Sequence, residues 1–482
     1  MKKIFVFFLF VAGFSSCKKV LQEIPQSFIT SSNFYKNESD AESAITGVYS
    51  SLGDNYGITY WLLLVNQADY ENGRGSQAPI SDFSHILNPT NIERVAAVWS
   101  SFYRTVNRAN TVINNVPKIN MDPTIKNRIL AEAHFLRAMA YFDLVRGWGA
   151  VPIKTKESNN ISAVASPRAP VDSVYALIIS DAKIAESGLP QSVGAATGTA
   201  SERAAKMLLA EVYLTREDWS QAAKEADDVI NSGQYSLVQV HTSSDFYKIF
   251  ATDTNPEDIF SIHYSPTSQS QLPQYLSRPN TPPYNYSSSG VFAWLPNMNS
   301  FIGKSWNNQD LRKSFNLYTK YIGPNGDSVS LPSTVPVLFG KFITDPQGFS
   351  SYSAPIFRYT EAFLIYAEAA CMANGGPTSL ALERLNMIKR RAYGYDPSQP
   401  SPVDYSQGLS ETQFRDSVLK ERAYSFIVEG KRWWDLVRTH TAAHAMAAVG
   451  KTFNNARLLW PIPLEEIQSN PDITEKDQNP GY

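Results

Sequence analysis

The stretch NRILAEAHFLRAMAYFDLVRGWGAVPIK, residues 127–154, decides the fold of this chain. Its apolar residues recur at helical spacing in two adjacent rows, which are Ile129, Ala133, Leu136, Ala140 and Leu144, and Phe135, Met139, Phe142 and Val145. A helix with two apolar stripes is packed on two sides, and its small alanines let neighbouring helices come close. Gly149 suits the left-handed conformation past the last turn, and Pro152 prevents continuation. The pattern therefore predicts the central helix of an all-helical stack.

Helical periodicity recurs on both sides of this central helix. Before it, residues 33–52 and 92–116 are predicted helices, and the second is expected to form a hairpin with the central one. After it come 171–190 and 200–237, the latter with the alternating small and large residues of a tetratricopeptide repeat, and then 355–376, 380–394 and 411–440. Because such a helix pair cannot bury its apolar face alone, neighbouring pairs are predicted to stack on one another.

Two long segments interrupt the helical pattern. Residues 53–89 are rich in Gly, Asn, Asp and Tyr, and a loop of this length in a compact domain is usually functional. Residues 241–353 are dense in Pro, Ser, Asn, Gly and aromatic residues, which is too aromatic a composition for a disordered linker. We expect short strands and loops there, partly helical over 301–318. The predicted fold class is mostly α with a loop-rich, partly β region.

Composition limits the classes of function. Lys plus Arg is 43 and Asp plus Glu is 45, so the chain lacks the basic surface that nucleic acid would need as a main partner. There is no GxSxG, Walker or GxGxxG motif, and Asn72-Gly73-Arg74-Gly75 is a turn too short to cradle a phosphate. We therefore expect no catalysis and no cofactor. A surface glycosidase stays open as an alternative, since the geometry of a carboxylate pair cannot be read from spacing.

Charged residues near the C-terminus have a structural interpretation. Glu429 with Arg432, and Asp435 with Arg438, have the i,i+3 spacing of helical ion pairs. No nucleophile motif accompanies them, so we interpret this cluster as ion pairs that lock the last helices.

Two histidines raise the question of a metal site. His440 and His444 are four residues apart on one predicted helical face, which is a spacing that can ligate zinc. The glutamate of HExxH is absent and no third ligand is evident, so we predict no metal site.

The N-terminus has the layout of a secretory lipoprotein signal. Residues 1–3 are basic at positions 2 and 3, residues 4–11 are apolar, and small residues precede Cys17. This arrangement resembles a lipobox, in which Cys17 becomes the acylated, palmitate-bearing first residue. We predict a signal peptide at 1–16 and a lipidated tether at 17–30, and an acylated chain of this kind is held firmly on a membrane. Cys371, the other cysteine, then has no disulfide partner.

Six segments in the chain carry a family resemblance: FLRAMAYFDLVRGWGAVPI (135–153), INSGQYSL (230–237), FRYTEAFLIYAEA (357–369), RLNMIKRRA (384–392), ERAYSFIVEGKRWWDLVR (421–438) and WPIPLEEIQSNPDITEKDQNPGY (460–482). In this order they resemble the signatures of the SusD/RagB family, whose members are surface glycan-binding lipoproteins of Bacteroidetes nutrient-uptake systems. The resemblance implies a superhelix of tetratricopeptide type that supports a loop-rich binding region. With it we divide the chain into an N-terminal helical region (31–240), a variable ligand-binding region (241–355) and a C-terminal SusD/RagB helical region with its tail (356–482).

The resemblance also implies a function. Such a protein captures oligosaccharides on the cell surface, without catalysis, and hands them to a SusC-like TonB-dependent outer-membrane transporter that it caps as a lid. The expected location is the outer membrane, lipid-anchored and facing the exterior. Two alternatives stay open: capture of peptides or glycoproteins by the same mechanism, and a tetratricopeptide scaffold of the uptake complex that binds no ligand.

Aromatic residues of the two loop segments are the candidates for ligand contact. A sugar ring has an apolar C–H face that Trp and Tyr can stack on, and a polar rim that Asn, Asp and Arg can bind. The family places glycan binding in variable loops of this kind. The predicted ligand-binding residues are Trp61, Asn66, Asp69, Tyr70, Arg74, Tyr284, Tyr286, Trp294 and Trp306.

Overall fold

The computed structural model describes residues 34–157, 165–252, 254–265, 267–277, 279, 291–296, 301–343, 351 and 353–482. At its centre lies the helix Pro123–Trp148. The Asp122 carboxylate accepts hydrogen bonds from the backbone N–H groups of Thr124 and Ile125 and so caps its start. Gly149, with φ of +73°, follows its last turn. Both predicted apolar rows are buried, which confirms a central helix packed on two sides.

Helices dominate the N-terminal part of the chain. They are α1 (Glu38–Tyr49), α2 (Leu52–Asn55), α3 (Ile58–Val65), α4 (Ala78–Ser81), α5 (Pro89–Asn115), α6 (Pro123–Trp148), α7 (Val171–Gly188), α8 (Glu202–Thr215) and α9 (Trp219–Ile230). The central helix α6 packs between α5 and α7, and α7, α8 and α9 then follow one another in the stack. Gly188 allows the close approach of α7 to α6, because a Cβ there would lie 2.8 Å from the Cβ of Ala131.

The remaining helices are α10 (Tyr247–Phe250), α11 (Phe301–Ser305), α12 (Leu311–Asn316), α13 (Tyr359–Asn374), α14 (Ser379–Ala392), α15 (Glu411–Ser425), α16 (Arg432–Arg438), α17 (Ala442–Ala448) and α18 (Leu464–Ser469). Of these, α10 to α12 are short and lie within the loop-rich segment, and α13 to α18 follow it. Helix α13 packs on α9 and is in turn covered by α14 and α15. This serial pairing confirms the predicted mostly-α superhelix of tetratricopeptide type.

The strands are short and pair two by two in antiparallel fashion. They are β1 (Asn72–Gly73), β2 (Val151–Pro152), β3 (Arg168–Ala169), β4 (Asp258–Ile262), β5 (Ala293–Trp294), β6 (Leu317–Tyr318), β7 (Lys320–Ile322), β8 (Ser328–Ser330), β9 (Leu338–Phe339) and β10 (Ala354–Arg358). The pairs are β1 with β5, β2 with β3, β4 with β10, β6 with β9, and β7 with β8. A bridge between Leu295 and Val337 links β5 to the start of β9.

Two predicted segments differ from the structure. The segment predicted as a loop contains the buried helix α3, whose sequence ITYWLLLV is apolar nearly throughout and therefore packs on all sides. The run predicted as one long helix over 411–440 is broken between α15 and α16, where Val428 and Gly430 have φ of +55° and +73°. Among the described helices, none combines the length and apolar character that crossing a bilayer requires.

The break between α15 and α16 also changes two predicted side-chain relationships. Asp435 and Arg438 form the predicted ion pair at 2.8 Å. Glu429 and Arg432 do not pair, because they no longer share a helix; Glu429 instead binds Lys341 at 2.6 Å and Arg358 at 2.9 Å.

The prediction that His440 and His444 lie on one helical face is also wrong. His440 has φ of +56° and lies outside α17, which carries His444, so the two imidazoles do not share a helical face. Within the described residues, no group of three or more His, Cys, Asp and Glu side chains is arranged to hold a metal ion.

Candidate functional site

The two loop segments that were predicted to carry ligand contacts meet in the structure. Strand β1 pairs with β5, so that Asn72 lies opposite Trp294 and Gly73 opposite Ala293. The backbone N–H of Arg74 continues the pairing by donating to the carbonyl of Phe292 at 3.2 Å. Residues more than 200 positions apart in the chain therefore form one junction.

The turn after β1 needs its glycines. A Cβ at Gly73 would overlap the backbone carbonyl oxygen of Gln77, and Gly75 has φ of +58°. This tight turn leaves Arg74 exposed at the edge of the junction.

Half-buried aromatic rings surround the junction. We call them the aromatic surface: Tyr275, Phe292, Trp294, Tyr318 and Tyr321. The rings of Tyr275 and Phe292 stack with centroids 5.2 Å apart and planes at 24°. The other three rings pack on a small apolar cluster formed by Val291, Leu331, Val335 and Leu338. A ring fixed on one side by the protein and accessible on the other suits stacking against the flat face of a ligand.

A groove lies next to the aromatic surface. It has a volume of about 310 Å³ and is walled by Ser50, Gly53, Asp54, Tyr56, Gly57 and Ile58 on one side and by Tyr264, Ser268, Gln269, Gln271 and Leu272 on the other. The groove wall leads along the chain into the aromatic surface, because Gln271 and Leu272 are followed by Tyr275, whose N–H donates to the carbonyl of Gln271 at 3.2 Å. A concave site of this size with a few polar groups is typical of small-molecule binding.

The two groove tyrosines have hydroxyl groups that already bind protein atoms. Tyr56 donates to Asp143 Oδ2 at 2.7 Å. Burial, opposed by a hydrogen bond with the Ser270 side chain, raises the pKa of Tyr264 above its ordinary value. Burial and the nearby Asp143 raise the pKa of Tyr56 further. Both tyrosines are therefore neutral and contribute ring atoms to the groove wall.

A second cavity, of about 50 Å³, lies inside the helical scaffold. It has room for a few water molecules. Its charged groups bind one another: Asp143 accepts hydrogen bonds from Tyr56 and Tyr60, each at 2.7 Å, and pairs with Arg146. We interpret this cavity as part of the core and not as a ligand site.

Four predicted ligand residues of the first loop are buried in the core. Trp61, Asn66, Asp69 and Tyr70 are at most 4% exposed. Asp69 binds Arg432 through both carboxylate oxygens, at 2.9 and 2.7 Å. The reason is helix α3, which turns this segment inward, so the prediction that these four side chains contact ligand is wrong for this structure.

The second loop gives a mixed result. Trp306 is 2% exposed and stacks on Tyr424 with ring centroids 4.4 Å apart, so it too belongs to the core. Trp294 is half-buried in the aromatic surface, and Arg74 is exposed beside it. These two are the predicted residues that the structure brings together. Tyr284 and Tyr286, and the lipidation candidate Cys17, lie outside the described residues.

Sequence reasoning missed the groove. Asp54 and Tyr56 lie within the first predicted loop, and Tyr264, Gln269 and Gln271 lie within the second predicted segment. The sequence signal that could have found the groove was the polar run SPTSQSQ, which follows a buried strand. Amide and hydroxyl side chains just after a strand lie on a loop at the accessible edge of the fold. The tyrosines gave no such signal, since most Tyr residues are largely buried.

Comparisons with known proteins point to one family. A sequence profile described as "SusD family" matches residues 315–482, and one described as "Starch-binding associating with outer membrane" matches residues 26–214. SusD-like protein P38 of Formosa agariphila is 26% identical over 99% of this chain and 98% of its own length.

Solved structures agree in fold. The crystal structure of a SusD homolog from Bacteroides thetaiotaomicron superposes with a TM-score of 0.80 at 22% identity, covering 94% of this chain and 98% of its own. A laminarin-binding SusD-like protein gives a TM-score of 0.74 at 23% identity, covering 93% and 100%. With both profiles, the full-length relative and the shared fold in agreement, this chain belongs to the SusD/RagB family.

Proposed function

We propose that this protein captures oligosaccharides at the aromatic surface and groove and hands them, without catalysis, to a SusC-like TonB-dependent outer-membrane transporter. The observation that carries the proposal is the pairing of β1 with β5. It joins Trp294, Asn72 and Arg74 in one place, next to a polar groove. Stacking rings beside hydrogen-bonding side chains match the apolar face and the polar rim of a sugar.

The half-buried aromatic rings favour binding over a purely structural scaffold. In a scaffold without ligand, loop aromatics would be expected to fill the core, as Trp306 does. The laminarin-binding relative supports a glycan over a peptide as the ligand class.

A binding role without catalysis is supported by the groove lining. Glycoside hydrolysis uses two carboxyl groups about 5–10 Å apart. Among the described residues that line the groove, Asp54 is the one carboxylate.

The proposed location is the outer face of the outer membrane. It rests on the lipobox-like sequence before Cys17 and on the family description that mentions association with the outer membrane. Replacing Cys17 by Ser should release the protein from the membrane fraction and reduce its recovery with the transporter. Membrane retention of the Cys17→Ser variant would contradict the lipid anchor.

The test of ligand capture uses the chain from residue 18 onward on a panel of polysaccharides in affinity gels, followed by calorimetry on any hit. We expect one glycan to retard the protein and Trp294→Ala to weaken the interaction about tenfold or more. Tyr395→Ala is the matched control, because Tyr395 is a 43%-exposed aromatic residue outside the proposed site.

Other outcomes select the alternatives. Binding to a peptide panel and to no glycan would support peptide capture. Binding to neither, with the transporter still co-purifying, would support the scaffold. Equal loss in Trp294→Ala and Tyr395→Ala would contradict the proposed site.

A further inference from the structure

The turn that follows β1 is bound by side chains at the start of α5. Arg94, on the second turn of α5, donates from Nη1 to the carbonyl oxygen of Ser76 at 3.0 Å and from Nη2 to the Ser76 hydroxyl at 2.8 Å. The amide nitrogen of the Asn91 side chain donates to the same carbonyl oxygen at 3.1 Å. Three hydrogen bonds from α5 therefore converge on Ser76, two positions after Arg74.

Asn91 is itself fixed by its neighbours in α5. It is 0% exposed, and its amide nitrogen also donates to the Asn88 side chain at 2.7 Å. Its amide oxygen accepts from Arg94 Nη1 at 2.6 Å. Asn88 is the N-cap of α5 and accepts from the backbone N–H of Asn91 at 3.1 Å. The side chains that bind Ser76 therefore belong to the capping network of a long helix and not to a second loop.

The buried part of the same turn has a separate anchor. The N–H of Gly73 donates to Ser81 Oγ at 2.7 Å, and the Ser81 hydroxyl donates to the carbonyl of Asn66 at 2.8 Å. Gly73 and Ser81 are buried, whereas Arg74 and Ser76 are exposed. The contact with α5 is therefore the anchor of the exposed part of the turn, which is the part that carries Arg74.

Hydrogen bonds at an exposed turn affect stability and binding differently. Because Ser76 is exposed, the bonds from Arg94 replace bonds with water and contribute little to the free energy of unfolding. An ordered turn, however, loses less conformational freedom when a ligand binds than a turn that must first be ordered. The same contacts can therefore set the affinity for a ligand while leaving the stability of the scaffold nearly unchanged.

We propose that Arg94 and Asn91 are positioning residues for ligand binding. Through Ser76 they hold the β1 turn in the conformation that places Arg74 beside Trp294. This inference rests on the proposed function and adds residues outside the ligand site that set its affinity. Arg94 and Asn91 act through the turn and do not touch the ligand themselves.

The first experiment measures affinity with the chain from residue 18 onward and the glycan that retards it. Arg94→Met removes the guanidinium and keeps an unbranched side chain. We expect its Kd to rise about fivefold to tenfold, because the turn must then be ordered on binding. Its melting temperature should stay within about 2 °C of the parent's. Arg94→Lys should recover part of the affinity, since an ammonium group can donate to the Ser76 carbonyl but lacks the planar fork of a guanidinium.

Arg216→Met is the matched control for the loss of a guanidinium. The Arg216 side chain is 39% exposed and binds Asp172 at 2.7 Å, outside the proposed site. This variant should bind glycan as the parent does.

The second experiment needs no ligand. Hydrogen–deuterium exchange reports on the turn directly, because the N–H groups of Gly73, Arg74 and Gln77 are all hydrogen-bonded in the structure. We expect Arg94→Met to exchange faster over residues 72–77 and at the parent's rate over α6.

The third experiment asks whether Arg94 acts through the placement of Arg74. If it does, Arg94→Met should cost less affinity in an Arg74→Gln background than in the parent, so the Kd of the double variant should rise by less than the product of the two single effects. A purely structural role of Arg94 would leave the two effects independent.

Several results would overturn the inference. Glycan binding by Arg94→Met at the parent's affinity, or unchanged exchange over residues 72–77, would contradict positioning while leaving glycan capture in place. A melting temperature of Arg94→Met that falls in step with its affinity would assign Arg94 to the scaffold. Independent effects of Arg94→Met and Arg74→Gln would contradict the placement of Arg74. Binding of the parent to no glycan would overturn the proposed function together with this inference.

Discussion

Glu211 of α8 and Glu361 of α13 are buried carboxyl groups that hydrogen-bond to each other and share one cation. Lys431 Nζ lies 3.0 Å from Glu361 Oε2 and also contacts Glu211. Burial and the negative charge of Glu211 raise the pKa of Glu361 to about 8. Burial would raise the pKa of Glu211 as well, but Lys431 and Arg146 lower it to about 2. At neutral pH the pair therefore holds one proton, on Glu361.

This shared proton predicts a pH-dependent stability. Between pH 4.5 and 8 the folded protein keeps a proton on Glu361 that the unfolded chain has lost, so the free energy of unfolding falls as pH rises, by at most about 1.4 kcal/mol per pH unit for this group. Glu361→Gln retains a donor toward Glu211 and cannot ionise. We expect this variant to lose that slope and to be more stable than the parent at pH 8. Urea unfolding of the parent and the variant at pH 5, 6.5 and 8 measures how the free energy of unfolding depends on pH. The same pH dependence in both proteins would contradict the assignment of the proton to Glu361.

The opposite substitution is the matched control. Glu211→Gln removes the ionised member of the pair, which contacts both Lys431 and Arg146, and leaves Lys431 with Glu361 and Arg146 with Asp143. Removing one partner of a buried ion pair costs about 3–5 kcal/mol. We therefore expect Glu211→Gln to lower the free energy of unfolding strongly at pH 7, where Glu361→Gln does not. Equal effects of the two variants would mean that the proton is not held by Glu361.

Trp306 and Trp294 were both predicted from the sequence to contact the ligand, but they differ in burial, and their substitution should have different effects. Trp306 is buried and stacked on Tyr424, so Trp306→Ala should lower the free energy of unfolding by about 3–5 kcal/mol. Trp294 is half-buried, so Trp294→Ala should cost about 1 kcal/mol in stability and act on glycan binding instead. Urea unfolding and affinity gels on the two variants distinguish these roles. A folded Trp306→Ala protein with selectively lost binding would move Trp306 into the site.

The β1 turn gives a test of the junction itself. A Cβ at Gly73 would overlap the Gln77 carbonyl, so Gly73→Ala should displace the turn that pairs with β5. We expect glycan affinity to fall at least tenfold, with melting of the helical scaffold shifted by only a few degrees. Gly47→Ala is the control, because Gly47 lies in α1 and outside the groove lining, and a Cβ there meets no atom within 4 Å. If Gly73→Ala bound glycan normally, the junction would not carry the site.

The helical scaffold was predictable from the sequence because the residues that specify each helix lie within one segment of the chain. Helix α6 has two apolar rows at 3.6-residue spacing, an Asp cap and a terminating glycine, and each of these is read within one segment. Helix α3 was not predicted because its run of apolar residues is short and carries no periodicity. An eight-residue apolar run reads equally as a strand, a buried helix or an aromatic loop.

The candidate site was only partly predictable because it is formed by residues that lie far apart in the chain. The sequence placed Arg74 and Trp294 in separate loops, and no local pattern reveals that β1 pairs with β5. Trp306 and Trp294 lie in the same aromatic-rich segment, and their different burial depends on Tyr424, which is more than 100 residues away. The groove likewise arises only where residues 50–58 and 264–272 meet.

Asp69 and Arg74 lie five positions apart in one segment, and they allow a test of the difference between a buried scaffold residue and an exposed residue of the proposed site. Asp69 is 2% exposed and binds Arg432 through two hydrogen bonds, so Asp69→Asn should lower the free energy of unfolding by about 3 kcal/mol or more. Arg74 is exposed at the junction, so Arg74→Gln should change stability by less than about 0.5 kcal/mol and weaken glycan binding. The measurements are urea unfolding and calorimetric titration at a temperature where both variants are folded. Asp69→Asn should then bind glycan as the parent does, because the side chain at position 69 contacts Arg432 at the start of α16 and does not reach the ligand. Weaker binding by a fully folded Asp69→Asn protein, with Arg74→Gln unaffected, would return the site to the buried part of the first loop.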